Sequence, residues 1–160
     1  AGTKRHARVP STDAPMAELR ATDFAPFRQL AHLPMAMSAH LVFSAIDSRP
    51  ATTSAAIISL IRDDIGFDGL LITDDLSMDA LPGSLAQRAR AALDAGCDMV
   101  LHCTGDMSEM RAVTQAAGSL SAPALTRAEA ALAVRQPAQP IDIAAAEAEL
   151  QANLKGRAYV

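Results

Sequence analysis

Gly69-Leu70-Leu71-Ile72-Thr73-Asp74-Asp75-Leu76-Ser77-Met78 is the stretch that decides how this chain is read. A short apolar run opened by glycine, without helical amphipathicity, fits a strand buried on both faces of a parallel sheet. It ends abruptly in two carboxylates, at the strand end where α/β folds place their chemistry. Successive side chains on a strand point to opposite sides, so only one of Asp74 and Asp75 can face a given pocket. The competing role for either acid is to accept hydrogen bonds from the loop that follows.

Upstream of this strand, Thr53 or Ser54 caps a helix running to about Ile65, with Ile57, Ile58, Ile61 and Ile65 at helical spacing and Gly66 as its stop. Leu41 to Pro50 is a connecting loop, and Met35-Ala36-Met37-Ser38-Ala39-His40 reads as a short strand with a polar tip. Met16 to Leu33 is helical, capped by Asp13 or Thr12 and divided by Pro26, since an interior proline loses a backbone bond. Phe24, Phe27, Leu30 and Ala31 give the second piece an apolar face. Residues 1–15, with Lys4, Arg5, His6 and Arg8, read as a flexible loop.

Downstream, Leu76 to Gly83 is a loop, and Ser84 caps a helix over Leu85–Ala95 that Gly96 closes. Asp98-Met99-Val100-Leu101-His102-Cys103 is a third strand with a polar tip. Asp106 or Ser108 opens a helix to about Ala117, and a Ser/Ala/Pro linker leads to another over Leu125–Val134. Residues 136–160 form a tail with a last Ala/Glu-rich helix, roughly 142–154, whose weak apolar face predicts partial disorder.

Strand starts fall roughly 30–35 residues apart, the size of a βαβ unit. Three parallel strands leave two open sheet edges, a poor unit by itself. A (β/α)8 TIM barrel takes about 250 residues, so residues 16–135 fit the last three βα units of one. A small doubly-wound sheet is the competing α/β arrangement, and it usually needs about five strands.

Composition narrows the function. With 160 residues the chain is one domain or part of one, and half of it is apolar. No Trp and a single Tyr argue against an aromatic platform for single-stranded nucleic acid. A net charge of -4 without a basic stripe gives nucleic-acid binding no support. Apolar runs fall far short of the roughly 20 residues of a membrane span. Cys97 and Cys103 suggest neither a disulfide framework nor a metal cluster, and both are expected to be small buried hydrophobes. The chain opens without Met in a polar stretch, Ala1 to Pro15, and reads as a polypeptide entered midway.

In a barrel the strand tips converge on one face. Here they carry His40, the Asp74–Asp75 pair and His102. The spacing matches no metal motif, so no metal and no cofactor are assigned. A carboxylate at such a tip can attack a sugar's anomeric carbon, given a separate acid/base group for the leaving oxygen.

Several segments carry a resemblance. Ile65-Gly66-Phe67-Asp68-Gly69-Leu70-Leu71-Ile72-Thr73-Asp74-Asp75-Leu76-Ser77-Met78 resembles the nucleophile segment of glycoside hydrolase family 3, in particular its bacterial β-N-acetylglucosaminidase branch. Pro34-Met35-Ala36-Met37-Ser38-Ala39-His40 is similar to that family's preceding strand. Arg49-Pro50-Ala51-Thr52-Thr53-Ser54 and Ala95-Gly96-Cys97-Asp98-Met99-Val100-Leu101-His102-Cys103 match its wording too. The likeness covers most of residues 10–120 and implies the C-terminal part of a TIM barrel.

The resemblance implies a cytoplasmic retaining exo-β-N-acetylglucosaminidase that removes terminal N-acetylglucosamine from peptidoglycan muropeptides in cell-wall recycling. Its partner is a small carbohydrate, with no nucleic acid, membrane or cofactor. Asp74 matches the nucleophile, Asp75 a neighbouring structural acid, and His40 is the candidate substrate-binding residue. The family's acid/base is the histidine of an Asp-Ser-His motif on a mobile loop, which alignment through Pro10 and Asp13 places at His6. Here the motif reads Lys4-Arg5-His6, with a cation where the orienting carboxylate should be. A positive neighbour disfavours imidazolium, the reverse of what an Asp partner does.

The family's upstream Lys-His-x-Pro-Gly-His-Gly stretch and its earlier strands are missing. The expectation is therefore a C-terminal fragment of impaired activity, to be completed by a separate N-terminal half, because general acid–base catalysis contributes about 10²–10⁴-fold. The alternatives are a family 3 β-glucosidase-like hydrolase and a non-catalytic barrel fragment acting as a binding module. A phospho-accepting receiver domain would need another Asp at a neighbouring tip, where this chain has His102 and Cys103.

Overall fold

The computed structural model describes residues 9–154. In chain order they form β1 (Ser11–Thr12), α1 (Met16–Ala21), α2 (Ala25–Gln29), β2 (Met35–Met37), β3 (Val42–Phe43), α3 (Ala55–Ser59), β4 (Leu70–Asp75), α4 (Leu85–Ala95), β5 (Met99–Leu101), α5 (Met107–Ala117), α6 (Ala122–Ala133) and α7 (Ile143–Leu154). Local chemistry sets most of the boundaries. The Ser54 hydroxyl accepts from the Ile57 N–H to start α3, which continues as a wider π-type turn over Leu60–Asp64. Ser84 and Gln87 form a reciprocal capping box on α4, and Gly96 closes that helix at φ 110°, a left-handed conformation that favours glycine. Asp106 caps α5 and Ser121 caps α6.

The α/β reading with parallel strands holds. β4 lies between β2 and β5, parallel to both. Met35 pairs with Leu70, Ala36 with Leu71 and Met37 with Ile72, so Ala36 and Leu71 share one face of the sheet. The helices that connect these strands cover that face: Ile58 of α3, Phe67, Leu71 and Cys97 form one buried cluster, with Ala36 packed against it. A second cluster joins Leu76, Leu81, Ala89 of α4 and Val113 of α5, with Val100 against it. On the opposite face Met35 and Met37 stand exposed. The outer edges of β2 and β5 are unpaired among the described residues.

Beneath the sheet, buried Asp98 ties three elements together. Its carboxylate accepts from the Leu71 N–H at 2.8 Å, from Arg62 at 2.7 Å and from Arg127 of α6 at 3.1 Å. Two cations and an amide meet one buried acid, which is how burial of such a charge is tolerated.

Four expectations are corrected. Leu41 to Pro50 is not all loop: its Val42–Phe43 pairs in parallel with Ser11–Thr12, inside the stretch read as loop 1–15. Neither Thr12 nor Asp13 caps α1, whose N-cap is Pro15 without a side-chain bond. Phe27 and Leu30 are exposed, and it is Phe24 that is buried, edge-on to Phe43 with ring centroids 5.7 Å apart. Cys97 is buried as expected, and burial pushes its thiol up to about 11, but Cys103 is exposed beyond the end of β5. The Ala/Glu-rich tail forms α7, with no buried residue.

Gly69 marks a close approach between the starts of β2 and β4. A Cβ there would stand 2.7 Å from the Pro34 carbonyl oxygen and 2.8 Å from that of Leu33, both backbone atoms that cannot step aside. Gly69→Ala is expected to lower stability by about 1–3 kcal/mol, read as a lower urea midpoint. An unchanged midpoint would contradict this packing.

Candidate active site

The β4 ladder carries an irregularity where it matters. Ile72 faces Met99 and Asp75 faces Leu101, so three steps along β4 span two along β5. The Thr73 hydroxyl, fully buried, fills the gap by accepting from the Leu101 N–H at 2.9 Å. An extra residue of this kind bends a strand and re-aims its side chains. Here it falls directly at the two acids.

The acids end in different surroundings. Asp75 is fully engaged: Oδ1 accepts from the N–H groups of Ser77 (3.0 Å) and Cys103 (3.2 Å), and Oδ2 from the Ser77 hydroxyl (2.5 Å). Burial works to raise its pKa. The Ser77 donors, the Cys103 N–H and the nearby His102 ring outweigh that, and the carboxyl lies below the ordinary range. Asp74 is half-buried and takes one bond, from the Asp75 N–H to Oδ1 at 2.8 Å. Its second oxygen accepts from no described residue. A half-buried carboxylate steadied at one oxygen can present the other to a ligand.

His40 lies beside the pair but offers it no free nitrogen. It is 4% exposed, with Nδ1 2.9 Å from the Thr52 hydroxyl and Nε2 2.9 Å from the Asp75 carbonyl oxygen. Thr52 in turn lies 2.9 Å from the Ser38 hydroxyl. The expectation that His40 binds substrate meets this obstacle, since both ring nitrogens are occupied inside the protein. Nothing in the spacing of Thr52 and Ser38 along the chain marks them as neighbours of a histidine tip.

His102 turns under the start of α5. Its Nε2 is 2.8 Å from the Thr104 hydroxyl and 3.2 Å from Glu109 Oε2, while Nδ1 is buried without a described partner. His6 and Lys4 lie outside the described residues, so the structure says nothing of the acid/base motif. Among the described residues no group of three or more His, Cys, Asp or Glu could hold a metal ion, and no helix is long and apolar enough to cross a membrane.

Comparison with known proteins adds the following. The description of the glycosyl hydrolase family 3 N-terminal domain matches residues 1–136. A beta-hexosaminidase of Bordetella pertussis is 37% identical over 113 residues, 68% of this chain and 32% of that protein. Another, from Alkalilimnicola ehrlichii, is 44% identical over 103 residues, 61% of this chain and 30% of that protein. This chain thus spans about a third of the length of the curated relatives it matches. The crystal structure of NagZ from Neisseria gonorrhoeae superposes with a TM-score of 0.69 at 29% identity, covering 91% of this chain and 42% of that one.

The engaged state of Asp75 has a pH signature. Its pKa is depressed in the folded chain, so its stabilisation is present above the unfolded value and is lost as pH falls through the folded one. Asp75→Asn is expected to cost about 1–2 kcal/mol at neutral pH. That deficit should stay level down to about pH 5 and shrink below about pH 4. Urea midpoints across pH check it, and a pH-independent deficit would contradict it.

Proposed function

The chain belongs to the glycosyl hydrolase family 3 N-terminal domain family, and on that footing we propose that it is the nucleophile-bearing part of a retaining exo-β-N-acetylglucosaminidase. Its substrates are N-acetylglucosaminyl peptidoglycan muropeptides, released for cell-wall recycling in the cytoplasm. The beta-hexosaminidase relatives support the chemical class. Residues 16–135 are read as the C-terminal βα units of a (β/α)8 barrel, with the acid/base motif in the segment that precedes β1 and 136–160 as a helical tail. Three parallel strands whose outer edges are unpaired among the described residues, with Met35 and Met37 exposed, support that reading, because a closed barrel would pair both edges and bury such side chains.

The observation that carries the proposal is the contrast between the two acids. Asp75 is consumed by hydrogen bonds, whereas Asp74, on the central strand, is steadied at one oxygen among the described residues. In the first step Asp74 forms a bond to the anomeric carbon as the glycosidic C–O bond breaks, and the leaving oxygen takes a proton from the acid/base. In the second, water gives a proton back to that base and displaces the carboxylate. His6 is the acid/base in this reading. With Lys4 in the place of an orienting carboxylate, its proton transfer is impaired.

The test uses the longest natural polypeptide that carries these residues. Asp74→Asn is expected to reduce hydrolysis of an aryl N-acetyl-β-glucosaminide on the order of 10⁴-fold. A slow fluorinated N-acetylglucosaminide should leave its label on Asp74, as peptide mapping would read. Label on another side chain, or faster cleavage of the matching aryl glucoside, would overturn the proposal.

A further inference from the structure

We infer that His40 is a positioning residue for Asp74, acting through the Asp75 backbone from a proton arrangement that Thr52 and Ser38 lock. The inference rests on the reading of Asp74 as nucleophile. It starts from what the partners of the ring can do. A carbonyl oxygen only accepts, so the 2.9 Å contact between Nε2 and the Asp75 carbonyl puts the proton of a neutral His40 on Nε2. Nδ1 is then an acceptor and takes the Thr52 hydroxyl proton. With that proton spent, the Thr52 oxygen accepts from Ser38. Donation runs one way, from Ser38 to Thr52 to His40 to the main chain of Asp75. Thr52 is fully buried, Ser38 is 5% exposed and His40 4%, so water does not compete for these bonds.

The receiving end of this chain is a clamped peptide. The carbonyl of Asp75 is gripped by His40 from the β2 side, and the N–H of the same peptide, on Leu76, donates to the Leu101 carbonyl of β5 at 2.9 Å. Asp75 is therefore fixed from both neighbouring strands, at the point where the extra residue of β4 leaves the ladder irregular. Its own N–H holds Asp74 Oδ1 at 2.8 Å. Without His40 the carbonyl keeps only the longer bond from the Met78 N–H, at 3.2 Å, within its own loop; Asp75 is then free to tilt, and the Asp74 carboxylate moves with the N–H that steadies it. A nucleophile misplaced by about 1 Å can lose on the order of 10²-fold in rate.

Two amide replacements separate this role from plain packing. His40→Gln keeps an N–H near the Nε2 position, whereas His40→Asn keeps a polar group only near Nδ1. In the longest natural polypeptide carrying these residues, His40→Asn is expected to lower kcat by about 10²-fold with KM changed less than about threefold. His40→Gln should restore at least about tenfold of that loss. Equal losses in both variants, or a raised KM with kcat unchanged, would overturn the inference, the second outcome by returning His40 to substrate binding. Activity surviving in Asp74→Asn would instead fail the nucleophile reading, and so separates the two.

A readout on the unaltered chain needs no variant to fold. Nitrogen-15 imidazole NMR should show His40 as a single Nε2-protonated tautomer with Nδ1 as acceptor. Thr52→Val should leave Nε2 protonated against the Asp75 carbonyl and remove the hydrogen-bonded acceptor signature of Nδ1. A native Nδ1-protonated tautomer would overturn the inference.

Discussion

One extra residue in β4, between Ile72 and Asp75, is the constraint on which the arrangement of the site depends. A regular ladder would have paired the end of β4 residue by residue with β5. Instead the Thr73 hydroxyl stands in for a backbone acceptor, and Thr73 and Asp74 are freed from strict pairing before it resumes between Asp75 and Leu101. The two acid side chains are then placed by bonds of their own. Asp75 is drawn onto Ser77 and Cys103, and Asp74 onto the N–H that follows it.

This division of labour between adjacent acids is electrostatically economical. A single ionised carboxylate beside another raises the cost of charging both. Three donors and a nearby imidazole keep Asp75 below the ordinary carboxylate range even though burial opposes it. The turn from Asp75 to Ser77 is therefore a structural device as much as a connection. It is also the reason the strand end is rigid: the acid that closes the loop is the one that cannot be spared for a ligand.

The rest of the sheet is built to deliver β4 to that point. Gly69 lets the β4 backbone pass against Leu33 and Pro34, Asp98 anchors the start of the strand through the Leu71 N–H, and two apolar clusters fill one side. The other side leaves Met35 and Met37 exposed, although Leu70, paired with Met35, is buried there. Methionine suits a surface that meets varied partners, being long, unbranched and polarizable. The exposure of Met35 and Met37, together with strand edges left unpaired among the described residues, supports reading the chain as part of a larger closed sheet.

Much of this was legible in the order of residues. The apolar run before Asp74, the serine caps at Ser54 and Ser84, and the glycine stops at Gly66 and Gly96 each act over a few residues, so local pattern determined the alternation of helices and strands. The motifs around Asp74 likewise identified the family, as the match over residues 1–136 bears out. Tertiary structure alone decided the rest, because it depends on groups far apart in the chain. Val42–Phe43 became a strand only by meeting Ser11–Thr12, and Phe24 rather than Phe27 was buried because Phe43 lay beside it. His40 looked like a free tip until Thr52 and the Asp75 carbonyl took both its nitrogens. A hydrogen bond between residues 35 positions apart leaves no periodicity to read, so only the folded chain could separate the acid available to a ligand from the residues that hold it still.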